Sequence, residues 1–152
     1  MTQFGGIYEH KIGDKYRISI PSGIRARTSK VSLFLYDRGE SHLLYLLPDD
    51  FEGGLEQYTQ HLQEQAPNPL NGDFDLETML RAVDVRINIQ ELKLDRLGRT
   101  MIRTLKEKGV KPGQKICTIG MGTYVVLYLG DKSQLRKYLQ EKAHSTLNLA
   151  QS

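Results

Sequence analysis

Lys11-Ile-Gly-Asp-Lys-Tyr-Arg-Ile-Ser-Ile20 and Lys93-Leu-Asp-Arg-Leu-Gly-Arg-Thr-Met-Ile102 are two versions of one pattern, 82 positions apart. At that offset Ile12 meets Leu94, Arg17 meets Arg99 and Ile20 meets Ile102. The second version contains Asp95-Arg96-Leu97-Gly98-Arg99. It combines a turn-starting carboxylate, a glycine free to take positive φ, and an arginine on the first residue of the next strand. The carboxylate can bond the turn amides or hold the guanidinium, whose planar fork suits phosphate or guanine edges. A single turn of this kind is unspecific, because a plain hairpin supplies it. Its return as Gly13-Asp14-Lys15-Tyr16-Arg17 is what gives it weight.

The correspondence continues outward. Val31–Leu35 meets Lys115–Ile119 at an offset of 84, and Leu43–Leu47 meets Val125–Leu129 at 82 again. Each half therefore predicts the same order of elements. The first has strands Ile7–Ile12 and Arg17–Ile20 around a turn, then a helical turn opened by Pro21, whose fixed φ suits that position. A hairpin of Val31–Tyr36 and His42–Leu47 follows. Asp49 and Asp50 then favour the positive end of a helix over Phe51–Gln65, with Phe51, Leu55, Tyr58 and Leu62 on one face. The run Ala66–Gly72 is a linker by its prolines, asparagines and glycine, and Asp73–Val83 reads as a second helix.

The second half predicts strands Val85–Leu94 and Arg99–Ile102 and a helical turn Arg103–Lys108. A hairpin of Lys115–Ile119 and Tyr124–Leu129 turns at Gly120-Met121-Gly122. A helix capped by Asp131 covers Lys132–Lys142, and Ala143–Ser152 is expected to fray. The chain is thus expected to be α+β, with a first repeat and its helix at 1–66, a linker and helix at 67–84, and a second repeat with the C-terminal helix at 85–152. A half of about 65 residues buries too little surface to be comfortable alone. The halves are expected to share one core through interleaved strands, and the same shortage favours homo-oligomers.

The 152 residues carry 21 basic and 18 acidic side chains, a net charge of +3. Residues 11–30 carry +5, residues 93–115 carry +6, and the remainder is net −8. Two basic segments on an otherwise acidic chain point to a polyanion partner. No apolar run approaches the roughly 18 residues of a membrane span, and no secretory leader is visible. The single Cys117 and the dispersed His10, His42, His61 and His144 have no metal-ligand spacing. No nucleophile elbow, P-loop or zinc-protease motif occurs, so neither an enzyme nor a cofactor is expected.

The double D-x-x-G-R-(apolar)-x-(apolar) pattern in a chain of this length resembles the MraZ family, within the AbrB-like swapped-hairpin superfamily. The resemblance runs from about Gly6 to Lys142. It implies two tandem half-barrels forming one pseudo-symmetric swapped-hairpin β-barrel flanked by helices. It also implies assembly into rings and a bacterial repressor of a division and cell wall gene cluster. Asp95 and Arg99 occupy the family's signature positions in the second repeat, and Arg17 the arginine position in the first. The departures are Gly13 at the first carboxylate position, Tyr16 at the glycine position, and Arg103 where many relatives carry proline.

The expected function is sequence-specific binding of double-stranded DNA at repeated promoter boxes. Lys15, Arg17, Arg25, Arg27, Arg96, Arg99 and Arg103 are the candidate DNA contacts. Asp14, Asp95 and Gly98 are the candidate turn-orienting residues. The expected partners are DNA and further copies of the chain, in the cytoplasm at the nucleoid, with neither a membrane nor a small-molecule substrate. The alternative is an antitoxin-like or oligomeric protein-interaction module on the same fold.

Overall fold

The computed structural model describes residues 5–20, 32–48, 55–122 and 124–151. It is α+β, with eight described strands and four described helices. The strands are β1 (Ile7–Lys11), β2 (Arg17–Ser19), β3 (Ser32–Tyr36), β4 (Leu43–Pro48), β5 (Ile89–Lys93), β6 (Arg99–Met101), β7 (Lys115–Gly120) and β8 (Val125–Tyr128). The helices are α1 (Leu55–Gln65), α2 (Leu76–Ile87), α3 (Thr104–Glu107) and α4 (Lys132–Gln151).

Six strands form an antiparallel sheet in the order β1-β7-β8-β4-β3-β5, and β2 pairs with β6 in a separate two-stranded ribbon. Every pairing outside the two hairpins joins a strand of the first half to one of the second: β1 to β7, β5 to β3, β4 to β8 and β2 to β6. The hydrogen bonds repeat accordingly. Gly13 N–H donates to Arg17 O as Asp95 N–H donates to Arg99 O, and Asp37 N–H donates to Asn88 O as Gly120 N–H donates to Gly6 O. Among the described residues the sheet does not close. Its outer strands β1 and β5 pair on one side only, so the expected barrel is here an open sheet with a ribbon laid against it.

The hairpin alignment is corrected by one residue. Ile7 faces Ile119 while Ile89 faces Tyr36, so β3 and β7 correspond at an offset of 83, not 84. Tyr36 faces Tyr45 as Ile119 faces Val126, so β4 and β8 correspond at an offset of 81, not 82. A slip of one residue exchanges the two faces of a strand. Leu33 then matches Ile116 and Leu46 matches Leu127, and all four lie in the main core. At 84, Leu33 would match Cys117, which packs on the opposite face.

The main core lies between the sheet and the ribbon. Leu33, Leu35, Leu44, Leu46, Leu92, Ile116, Val125 and Leu127 of the sheet meet Ile18, Ile20, Ile102 and Leu105 around the ribbon. On the sheet's other face Cys117 and Tyr128 pack with Leu135, bordered by Leu43, Ile119 and Tyr138. Helix α4 starts with a reciprocal cap: Gln134 N–H donates to Asp131 Oδ1 and Asp131 N–H to Gln134 Oε1, both at 2.8 Å. It continues to Gln151 rather than fraying after Lys142, since Ala143–Gln151 contains neither glycine nor proline. The expected helical turn at Pro21 and the residues Asp49, Asp50 and Phe51 lie outside the described residues.

The largest correction is at the start of the second half. Helix α2 runs to Ile87, so the strand expected from Val85 begins only at Ile89. Val83, Val85, Ile87 and Ile89 alternate like a strand, but Thr78, Ala82 and Val85 also fall at helical spacing and are the buried residues of α2. Asp75 fixes the helix start by accepting the Glu77 N–H at 3.1 Å and the Thr78 hydroxyl at 2.8 Å.

His10 occupies the place that Leu92 holds in the other half. Its Nε2 lies 2.6 Å from the Thr118 hydroxyl, and Nδ1 is buried without a hydrogen-bond partner among the described residues. Burial lowers its pKa below 6.5. The unfolded imidazole therefore protonates first as pH falls. This contribution to stability is complete above about pH 6.5 and is lost as pH drops through 6.5 toward the folded value. Urea midpoints measured from pH 7.5 to 5 should show this decline, and His10→Leu should flatten it. An unchanged slope in His10→Leu would contradict the assignment.

Candidate nucleic-acid interface

The ribbon forms because its central pair is β-branched and three of the four residues beside it, Arg17, Ser19 and Arg99, are polar. Ile18 faces Thr100, and both are buried toward the core. Alternation then sends Arg17, Ser19, Arg99 and Met101 to the opposite face. Arg17 lies across from Met101 and Arg99 across from Ser19, so the two arginines sit on one diagonal of one surface. The ribbon is extended at both ends, by Ile20 N–H to Gly98 O at 2.9 Å and by Ile102 N–H to Tyr16 O at 3.0 Å.

The two turns beside these arginines differ. In the second, Gly98 N–H donates to Asp95 O at 3.0 Å, and Gly98 takes φ 75°. Asp95 Oδ1 accepts the backbone N–H of Leu97 and of Arg99, each at 2.9 Å, and Oδ2 accepts Arg99 Nε at 3.0 Å. The Arg99 backbone N–H, joined by its side chain and by Leu97 N–H, holds the Asp95 carboxyl below the usual range against an opposing effect of desolvation. With Nε engaged, the terminal nitrogens of Arg99 remain without a hydrogen-bond partner among the described residues.

In the first turn Gly13 has no side chain to offer, and the turn is closed by Gly13 N–H to Arg17 O at 2.8 Å. The Arg17 backbone N–H donates to Asp14 O, but neither side chain makes a hydrogen bond or ion pair among the described residues. Lys15 (φ 58°, ψ 29°) and Tyr16 (φ 59°) both adopt the left-handed region. That region costs a side-chain-bearing residue about 1–2 kcal/mol.

Two clefts flank the ribbon. One, of about 320 Å³, is lined by Arg17, Lys93, Asp95, Arg99, Thr100 and Met101. The other, of about 420 Å³, is lined by Lys15, Tyr16, Met101, Arg103, Lys106 and Glu107. The structure thus brings Arg17 to Arg99 and Lys15 to Arg103. Arg96 is exposed on the second turn and lines neither cleft. Arg25 and Arg27 lie outside the described residues. Lys93 and Lys106 were legible only as part of the basic segments; strand pairing and the short helix α3 are what bring them to the clefts. Among the described residues no three His, Cys, Asp or Glu side chains gather as a metal site, and no helix is long and apolar enough to cross a membrane.

No protein-family model matches the chain. It is similar to the transcriptional regulator MraZ of Mesoplasma florum, 26% identical over 155 aligned positions that span 95% of this chain and 98% of that protein. It is also similar to the transcriptional regulator MraZ of Rhodospirillum rubrum, 27% identical over 128 positions, 80% of this chain and 76% of that protein.

Proposed function

Because this chain belongs to the MraZ family of transcriptional regulators, we propose that it binds duplex DNA through the arginine-bearing face of its ribbon. The carrying observation is that Arg17 and Arg99 share one exposed diagonal while the opposite face of the ribbon is anchored in the core. A two-stranded ribbon fits the major groove, about 12 Å wide. Diagonal neighbours stand about 7–8 Å apart, close to two base-pair steps of about 3.4 Å each. Arg17 and Arg99 are assigned to base edges. Lys15, Arg96 and Arg103 are assigned to phosphates, with Arg25 and Arg27 assigned on charge alone. Asp95 and Gly98 orient the second turn.

The biological role follows the family resemblance: repression of a division and cell wall gene cluster through repeated promoter boxes, in the cytoplasm at the nucleoid. Residues 1–66 and 85–152 would be two AbrB-like repeats of a swapped-hairpin unit joined through 67–84. The crossed strand pairing and the repeated hydrogen bonds support this reading. Self-assembly into a ring is supported by Leu76, Leu80, Val83 and Ile87, which form an exposed apolar stripe along α2. Linked copies would then engage repeated boxes with a high effective concentration.

Fluorescence anisotropy on a promoter fragment over a range of salt tests this reading. Log affinity should fall linearly with log salt, with a slope of about −0.9 per phosphate contacted. Light scattering on the same sample should give a mass well above a dimer. A slope near zero would contradict DNA binding through these cations, and a monodisperse monomer at micromolar concentration would contradict the assembly.

A further inference from the structure

We propose that the cleft between the first turn and α3 is a phosphate-binding site, formed by Lys15, Arg103 and Lys106, on one flank of the ribbon. Three cations and one carboxylate, Glu107, line it. Among the described residues none of the three cations has an ion-pair or hydrogen-bond partner. Arg99 and Lys108, by contrast, are each held by an aspartate. The three side chains come from two segments, 15 and 103–106, that Ile102 N–H to Tyr16 O ties together at 3.0 Å. Lys15 is held at the cleft by a left-handed backbone that Tyr16 shares. Such strain persists where the surrounding structure over-determines it, and it concentrates at ligand-binding sites.

The three cations are not repeated in the sequence of the other half. At the ribbon's offset of 82, Leu97 stands for Lys15, Pro21 for Arg103 and Ile24 for Lys106. The ribbon's arginines are therefore two-fold, while the three cations of this cleft have no cation at the corresponding sequence positions of the other half. Its ligand is a phosphate group, supplied either by the backbone of a bound duplex or by a free oligophosphate. The first source rests on the DNA-binding reading above, and the second does not.

Lys106→Gln in the intact protein tests the site, because Lys106 is exposed and stands outside the base-contacting set. Lys137→Gln, exposed on α4, is the control. Anisotropy is read on the promoter duplex and on a scrambled duplex across salt, and inorganic pyrophosphate is titrated by calorimetry. If a backbone phosphate occupies the cleft, Lys106→Gln lowers the salt slope by about 0.9 and weakens both duplexes by the same factor, while Lys106→Arg restores both. If a free oligophosphate occupies it, the wild type binds pyrophosphate at one per chain, Lys106→Gln abolishes this, and the DNA slope is unchanged. Neither effect, or equal effects from Lys137→Gln, would overturn the proposal. A protein that binds no duplex would defeat the DNA reading, and the pyrophosphate titration would still decide the cleft.

Discussion

Arg99→Ala should weaken promoter binding by about 1–3 kcal/mol per chain, roughly 5- to 150-fold, and Arg17→Ala should cost less. The difference comes from the turns. Arg99 rests on Asp95 through Nε, so little side-chain freedom is lost when its terminal nitrogens reach a base. The Arg17 side chain has no partner among the described residues and must be ordered on binding. Removing Asp95 should therefore narrow the gap, and Arg17→Ala and Arg99→Ala should differ less in an Asp95→Ala background. Both variants should stay folded, because half-exposed ion pairs contribute little to stability. Anisotropy on one duplex at fixed salt gives the ranking. Equal losses would mean that the unpaired first turn is ordered without a carboxylate. A larger loss at Arg17 would mean that the first turn leads in recognition.

The second large effect concerns the core. Leu44 of β4 faces Leu127 of β8, and both are fully buried at the centre of the sheet. One comes from each half of the chain. Leu44→Ala and Leu127→Ala should each destabilise by about 2–5 kcal/mol. Each should do so in a single transition, because neither half keeps a complete core without the other. The double variant should cost less than the two losses added, since the residues are direct neighbours. Urea unfolding followed by circular dichroism measures this. A biphasic curve in which half of the signal survives would contradict the shared core.

The order of strands was legible because chemistry and spacing coincide at the turns. Asp95, Gly98 and Arg99 are each needed for a different bond, and the structure uses all three. The hairpin register was not legible. Leu33-Phe34-Leu35 and Ile116-Cys117 are apolar on both faces, so sequence alone offers no alternation to fix the phase. Cys117 and Tyr128 are buried because α4 covers the sheet's other face, a contact made far along the chain. The stretch Val83–Ile89 satisfied helix and strand periods together, and the Asp75 cap settled it in favour of the helix. At the site, both ribbon arginines were legible from the repeat. The pairing of Lys15 with Lys106 was not, because it depends on where α3 returns beside the first turn.

Methylation interference on the promoter duplex tests the ribbon's place most directly. Guanine N7 lies in the major groove, and adenine N3 lies in the minor groove. A ribbon carrying Arg17 and Arg99 into the major groove predicts that N7 methylation at one or two guanines within each box abolishes binding. N3 methylation of adenines in the box should leave binding unchanged. Interference from adenine N3 with none from guanine N7 would contradict major-groove recognition by this face.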